Sequence, residues 1–111
     1  MQIRIIPHPV FRAAIPFTVA GQESPAVVTF DLRHKSPQEL RRWAASFAGR
    51  ETAEIVSDVV VAWVSGVVDD DGAEVPYSKD NLELFLASHG SRATDLLHAY
   101  QRELLESRQK N

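Results

Sequence analysis

Two stretches of strict alternation limit the fold of this chain more than any other feature. Ile15, Phe17 and Val19 alternate with Pro16, Thr18 and Ala20, and Val28, Phe30 and Leu32 alternate with Thr29, Asp31 and Arg33. A period of two puts every second side chain on one face, which is the pattern of a half-buried strand. Gly21-Gln22-Glu23-Ser24-Pro25 between them is turn chemistry. The expectation is an antiparallel hairpin, Ile15–Ala20 with Ala26–Arg33, whose apolar side faces helices. Ile3 to Ile6 reads as a further short strand, interrupted by Pro7 and Pro9, since proline cannot donate to a ladder. Residues 1–11 and 107–111 are expected to be loosely ordered ends of a single domain spanning 1–111.

The remaining chain reads as helical. In Ser36-Pro37-Gln38-Glu39 the serine sits at an N-cap, the proline at the first helical position, and the glutamate completes a capping box. Leu40, Trp43, Ala44 and Phe47 follow at helical spacing, and Gly49 is placed to end the helix. Ser78 caps a later helix carrying Leu82, Phe85, Leu86 and His89, which Gly90 ends. Ser91 caps another, with Ala93, Leu96, Leu97, Tyr100, Leu104 and Leu105 inward.

Residues Ala53 to Val64 carry two conflicting signals. Val59, Val60 and Val61 favour strand by propensity. Ile55, Val56, Val59, Val60, Trp63 and Val64 nevertheless fall on one face of a helix. Glu51, Glu54 and Asp58 lie near the start, where negative charge suits the helix dipole. Periodicity sustained over this length outweighs a weak propensity, so the reading is a helix from Ala53 to Val64. The fold class expected is α+β: the hairpin packed on about four helices.

Composition narrows the function. The chain has 111 residues, 44% of them hydrophobic and 24% charged, as in soluble globular proteins. A formal net charge of −3 argues against a nucleic-acid partner, which needs a basic face. There is no cysteine, hence neither a disulfide framework nor a thiolate site, which fits a reducing cytoplasm. The start MQIRIIPHPVF lacks the apolar run of a signal peptide, and Val59 to Val64 is too short to span a bilayer.

Catalytic and metal chemistry find little support. Asp69, Asp70 and Asp71 before Gly72 suggest a cation loop. Aligning Gly72 with the invariant glycine of an EF-hand puts Val67 at the first ligand and Ser78 at the last, and neither residue suits its position. The stretch reads as a solvated Asp-Gly turn. His8, His34, His89 and His98 show no metal-ligand spacing, and Asp95 with His98 is the spacing of a surface pair. No serine stands in a nucleophile elbow, and no glycine-rich loop follows a strand. Catalytic, metal and cofactor residues are therefore expected to be none. Trp43 and Trp63 read first as core, and second as rings lining a groove for a partner.

One stretch does resemble something known. Trp63, Gly66-Val67-Val68, Asp69 through Gly72, and Val75-Pro76-Tyr77-Ser78 opening a leucine-rich helix are similar to the pattern of the tail assembly chaperones of long-tailed bacteriophages and prophages. Tyr100, Leu104 and Leu105 extend the resemblance, as do the strand Val27-Val28-Thr29-Phe30 and the Trp43 helix. The Ile-Pro-His-Pro start departs from it.

The resemblance implies a non-enzymatic protein of the bacterial host cytoplasm that is not retained in the mature virion. It implies binding to the tape measure protein and help in recruiting tail tube subunits. No membrane or nucleic-acid partner is expected, while homo-oligomers fit. The expected partner-binding residues are Trp63, Val67, Val68, Asp69, Asp71, Tyr77 and Phe85. Two alternatives stay open: a structural, oligomeric component of the tail, and a metal-dependent enzyme using Asp69, Asp71 and a histidine.

Overall fold

The structure, a computed structural model, describes residues 9–19 and 21–109. The short strand expected at Ile3 to Ile6 lies outside the described residues. In chain order the elements are β1 (Val10–Phe17), β2 (Ala26–Arg33), α1 (Pro37–Ala45), α2 (Thr52–Ser57), β3 (Val60–Ser65), α3 (Lys79–Ala87) and α4 (Arg92–Gln109). The three strands form one antiparallel sheet in the order β1-β2-β3.

The hairpin forms as its alternation demands, with β1 shifted toward the N-terminus. Its ladder runs from Val10 opposite Arg33 to Phe17 opposite Ala26. Phe11, Ala13, Ile15 and Phe17 carry the alternation back beyond Ile15, which is why the strand starts at Val10. Pro16 is tolerated because β1 is an edge strand. Ala13, Ile15, Phe17, Val28, Phe30 and Leu32 are all buried on one face. On the other face Arg12 stands opposite Asp31, and Nε meets Oδ1 at 2.9 Å.

The helix expected from Ala53 to Val64 is not there. α2 stops at Ser57, and Val60 to Ser65 forms the third strand. As a burial pattern the apolar stripe holds at five of its six positions: Ile55, Val56, Val59, Val60 and Trp63 are buried, and Val64 is not. What misled is the pairing. Phe30 and Leu32, two residues apart on β2, face Trp63 and Val60, three apart on β3. The register shifts twice along this ladder, at Thr29/Phe30 and at Asp31/Leu32. Each shift leaves one β3 residue, Val64 or Val61, without an opposite number. A bulged strand therefore buries residues at a spacing of three, which imitates a helical face. Val64 points outward and is exposed.

The capping box of α1 is present as read. Ser36 Oγ accepts from the Glu39 N–H at 3.2 Å, and the Glu39 carboxylate accepts from the Ser36 N–H at 2.9 Å. The bond from the Ser36 N–H, with the Ser36 hydroxyl adding to it, holds the Glu39 carboxyl below its ordinary range. α1 ends at Ala45, before Gly49, because Ser46 turns its hydroxyl and N–H back onto Trp43. Arg50 then reaches Glu54 at 3.1 Å and Asp58 at 2.8 Å, tying the start of α2 to its end. α2, α3 and α4 pack on one another, and α4 lies against β1. Along α4, Ala93, Leu96, Ala99, Tyr100 and Leu104 are buried, whereas Leu105, expected inward, is half exposed.

Two aromatic clusters occupy different parts of the core. In one, Tyr100 meets Trp43 edge-on at 5.5 Å and Phe11 at 6.1 Å. In the other, Phe85 meets Phe17 at 5.4 Å, Phe30 at 6.3 Å and Trp63 at 5.8 Å. The two tryptophans belong to different clusters. Trp43 serves the junction of α1 and α2, donating from Nε1 to Asp58 at 3.1 Å. Trp63 serves the segment that follows β3.

Candidate functional site

The chain leaves β3 through Gly66, which is forced by its surroundings. Its φ is +105°, and a Cβ there would lie 2.3 Å from the Val27 carbonyl oxygen. Only a residue without a side chain lets the strand end cross so close to β2.

After Gly66 the chain folds into a small hairpin of its own. Val68 bridges to Glu74, and the Val75 N–H donates to the Val67 carbonyl at 2.9 Å. The tip is closed by Asp69. Its Oδ1 accepts from the N–H groups of Asp71, at 2.9 Å, and Ala73, at 3.0 Å. The Gly72 N–H adds a bond to the Asp69 carbonyl at 3.0 Å. The Asp-Gly turn expected from the sequence is therefore an ordered reversal whose first aspartate satisfies backbone donors. Among the described residues, no three His, Asp or Glu side chains converge as metal ligands would.

The returning arm runs alongside β3. Trp63 Nε1 donates to the Val75 carbonyl at 2.8 Å, and the Tyr77 ring stands edge-on to Trp63 at 5.3 Å. Pro76 and Tyr77 lead into α3, where Ser78 Oγ accepts from the Asn81 N–H at 3.0 Å. Asn81 Nδ2 in turn donates to the Pro76 carbonyl at 2.9 Å. The segment is thus pinned at Val75 and at Pro76.

Between strand and arm lies an open cleft of about 230 Å³. Trp63, Val64 and Ser65 form one side; Val67 and Glu74 through Tyr77 form the other. Val64, in its lining, is exposed; Val68, the neighbour of Val67, and Val27, whose backbone lies against Gly66, are exposed as well.

The residues expected to bind a partner divide into three groups. Trp63, Val67 and Tyr77 come together in the cleft wall. Val68, Asp69 and Asp71 lie on the neighbouring hairpin, all exposed. Phe85 is half-buried among Phe17, Phe30 and Trp63, supporting the cleft from the core side. Glu74, Val64 and Pro76 were not among the expected residues. The signal for them was available: Val67-Val68 and Glu74-Val75 flank an Asp-Gly turn symmetrically, the mark of a hairpin rather than a plain loop.

Comparison with curated proteins and with solved structures finds no match. A family model does match, over residues 1–111, and its description is phage tail assembly chaperone. With the whole length covered, the chain belongs to the phage tail assembly chaperone family.

Proposed function

We propose that this protein binds the tape measure protein before tail polymerisation, keeps it soluble and helps recruit tail tube subunits. It does so without turnover, in the cytoplasm of the bacterial host, and leaves before the virion matures. The observation that carries this reading is the cleft beside β3, lined by Trp63, Val64, Val67, Val75 and Tyr77, with the exposed Val68 next to Val67 in the chain. Membership of the chaperone family gives that surface a context. Exposed apolar side chains gathered around a cleft are what a partner covers, and an amphipathic client segment is a natural fit. Burial at the centre supplies most of the affinity, and the acidic hairpin supplies selection at the rim.

The test is co-expression with a tape measure fragment, followed by pull-down at low and high salt. Recovery of a complex that salt weakens only modestly is expected, because charge acts at the rim. Failure to recover any complex at either salt, with both proteins folded, overturns the reading. Mass spectrometry of purified particles separates a chaperone from a structural tail component, since only the latter stays in the particle.

A further inference from the structure

Within the cleft, Glu74 stands apart from the rest of the lining. It is the only ionisable carboxylate or amine there; the other lining residues are two aromatics, three valines, a proline and a serine. Among the described residues its carboxylate has neither an ion-pair partner nor a side-chain hydrogen bond. The field around it is one-sided. Residues 67–83 hold six of the fifteen carboxylates of the chain and one of its twelve lysines and arginines.

We infer that this cleft receives an arginine side chain of the client, with the guanidinium on Glu74 and its aliphatic stem along Val64 and Val67. The inference deepens the function proposed above and rests on it for the identity of the client. Charge complementarity selects a cation, since Asp69, Asp70 and Asp71 sit on the same small hairpin as Glu74 and add to its negative charge. The lining selects arginine over lysine. A guanidinium is weakly hydrated, stacks on aromatic faces and can bond a carboxylate through two N–H groups, whereas an ammonium retains its water strongly. Trp63 and Tyr77 give the cleft aromatic walls, and Trp63 is held in place by its bond to Val75.

The first probe is a blocked pentapeptide with a central arginine between leucines, titrated into the ¹⁵N-labelled full chain. Its citrulline analogue, which has the same shape and no charge, is the control. The arginine peptide is expected to shift the Trp63 indole N–H and the Glu74 amide. Citrulline and Glu74→Gln should each weaken binding by about tenfold, as loss of a charge-assisted pair does. Glu51→Gln, which removes the same charge elsewhere, should leave it within about twofold. Glu74 is exposed and makes no side-chain bond, so its substitution leaves the fold intact. The second probe is the tape measure fragment itself, with Glu74→Gln and Tyr77→Ala each expected to weaken the complex by about tenfold or more. A complex that forms with unchanged affinity in Glu74→Gln overturns the arginine site and leaves the chaperone reading standing. An arginine-dependent shift without any tape measure complex supports the site and overturns the reading. Equal shifts from the arginine and citrulline peptides overturn the site.

Discussion

The hydroxyl of Tyr100 donates a 2.6 Å hydrogen bond to the carbonyl of Arg33, joining the middle of α4 to the last residue of β2. The ring is fully buried between Phe11 and Trp43. The contact adds a directional tie to the apolar packing of the long helix on the sheet.

Removing only the hydroxyl, in Tyr100→Phe, should cost about 1 kcal/mol, the net worth of one hydrogen bond. Tyr100→Ala should cost about 3–5 kcal/mol through the cavity it leaves. Urea denaturation measures both. Equal stability of Tyr100→Phe and the parent would show that the bond is not formed in solution.

The same burial raises the Tyr100 pKa above its ordinary value, with the nearby Glu39 charge adding to the effect. The folded state therefore holds its proton at a pH where the unfolded chain has lost it. The stability contributed is fully present below about pH 10 and falls as pH rises further, by up to about 1.4 kcal/mol per pH unit. In Tyr100→Phe the decline above pH 10 should be shallower. Parallel curves would rule Tyr100 out as the titrating group.

Gly66→Ala should be the most damaging of the glycine substitutions. It combines backbone strain with a collision against Val27, each costing about 1–3 kcal/mol. Gly72→Ala has a similar φ of +81° but open space around it, so only the strain of about 1–2 kcal/mol applies. Thermal melting of the two variants should separate them clearly.

Trp63→Ala should destabilise by about 3–5 kcal/mol, since the ring is buried against Tyr77 and Phe85. Trp63→Phe keeps most of the packing and loses the bond to Val75, so its main effect should fall on the arm. Faster amide hydrogen exchange at Val75 and Asp69, with β1 and β2 unchanged, is the expected signature. A uniform increase across the sheet would show instead that the arm and the sheet open together.

Asp69→Ala should cost about 1 kcal/mol by leaving the Asp71 and Ala73 N–H groups without their side-chain acceptor. Asp71→Ala should change stability by less than about 0.5 kcal/mol. Calorimetry with calcium, magnesium and zinc should give no micromolar isotherm, because the Asp69 oxygen is already engaged. A clear isotherm that both substitutions abolish would reverse this assignment.

The hairpin and the capped helices were legible because each rests on local chemistry. The alternation through Phe30 and the Ser36–Glu39 box need no distant partner to be recognised. β3 was not legible because its spacing is imposed by β2: Val61 and Val64 are set aside by bulges that only the pairing defines. Burial survived the error, as Ile55, Val59 and Trp63 show, since a stripe names inward residues without naming the element that carries them. The candidate site was legible in part. Trp63, Val67 and Tyr77 belong to the stretch that carries the family resemblance. Glu74 was not legible, because its place in the cleft follows from the hairpin closing at Asp69 and from the Trp63 bond to Val75.

The two register shifts of β3 bear on how this chain avoids pairing with other chains through its sheet. β3 lies at the border of its sheet, where a regular strand would offer evenly spaced donors and acceptors to any passing chain. The bulges at Val61 and Val64 put those groups out of step with an incoming straight strand. A second copy, or a half-folded neighbour, thus meets a border it cannot copy. The strand beside the cleft is in this way guarded against edge-to-edge pairing by a device built into its own backbone.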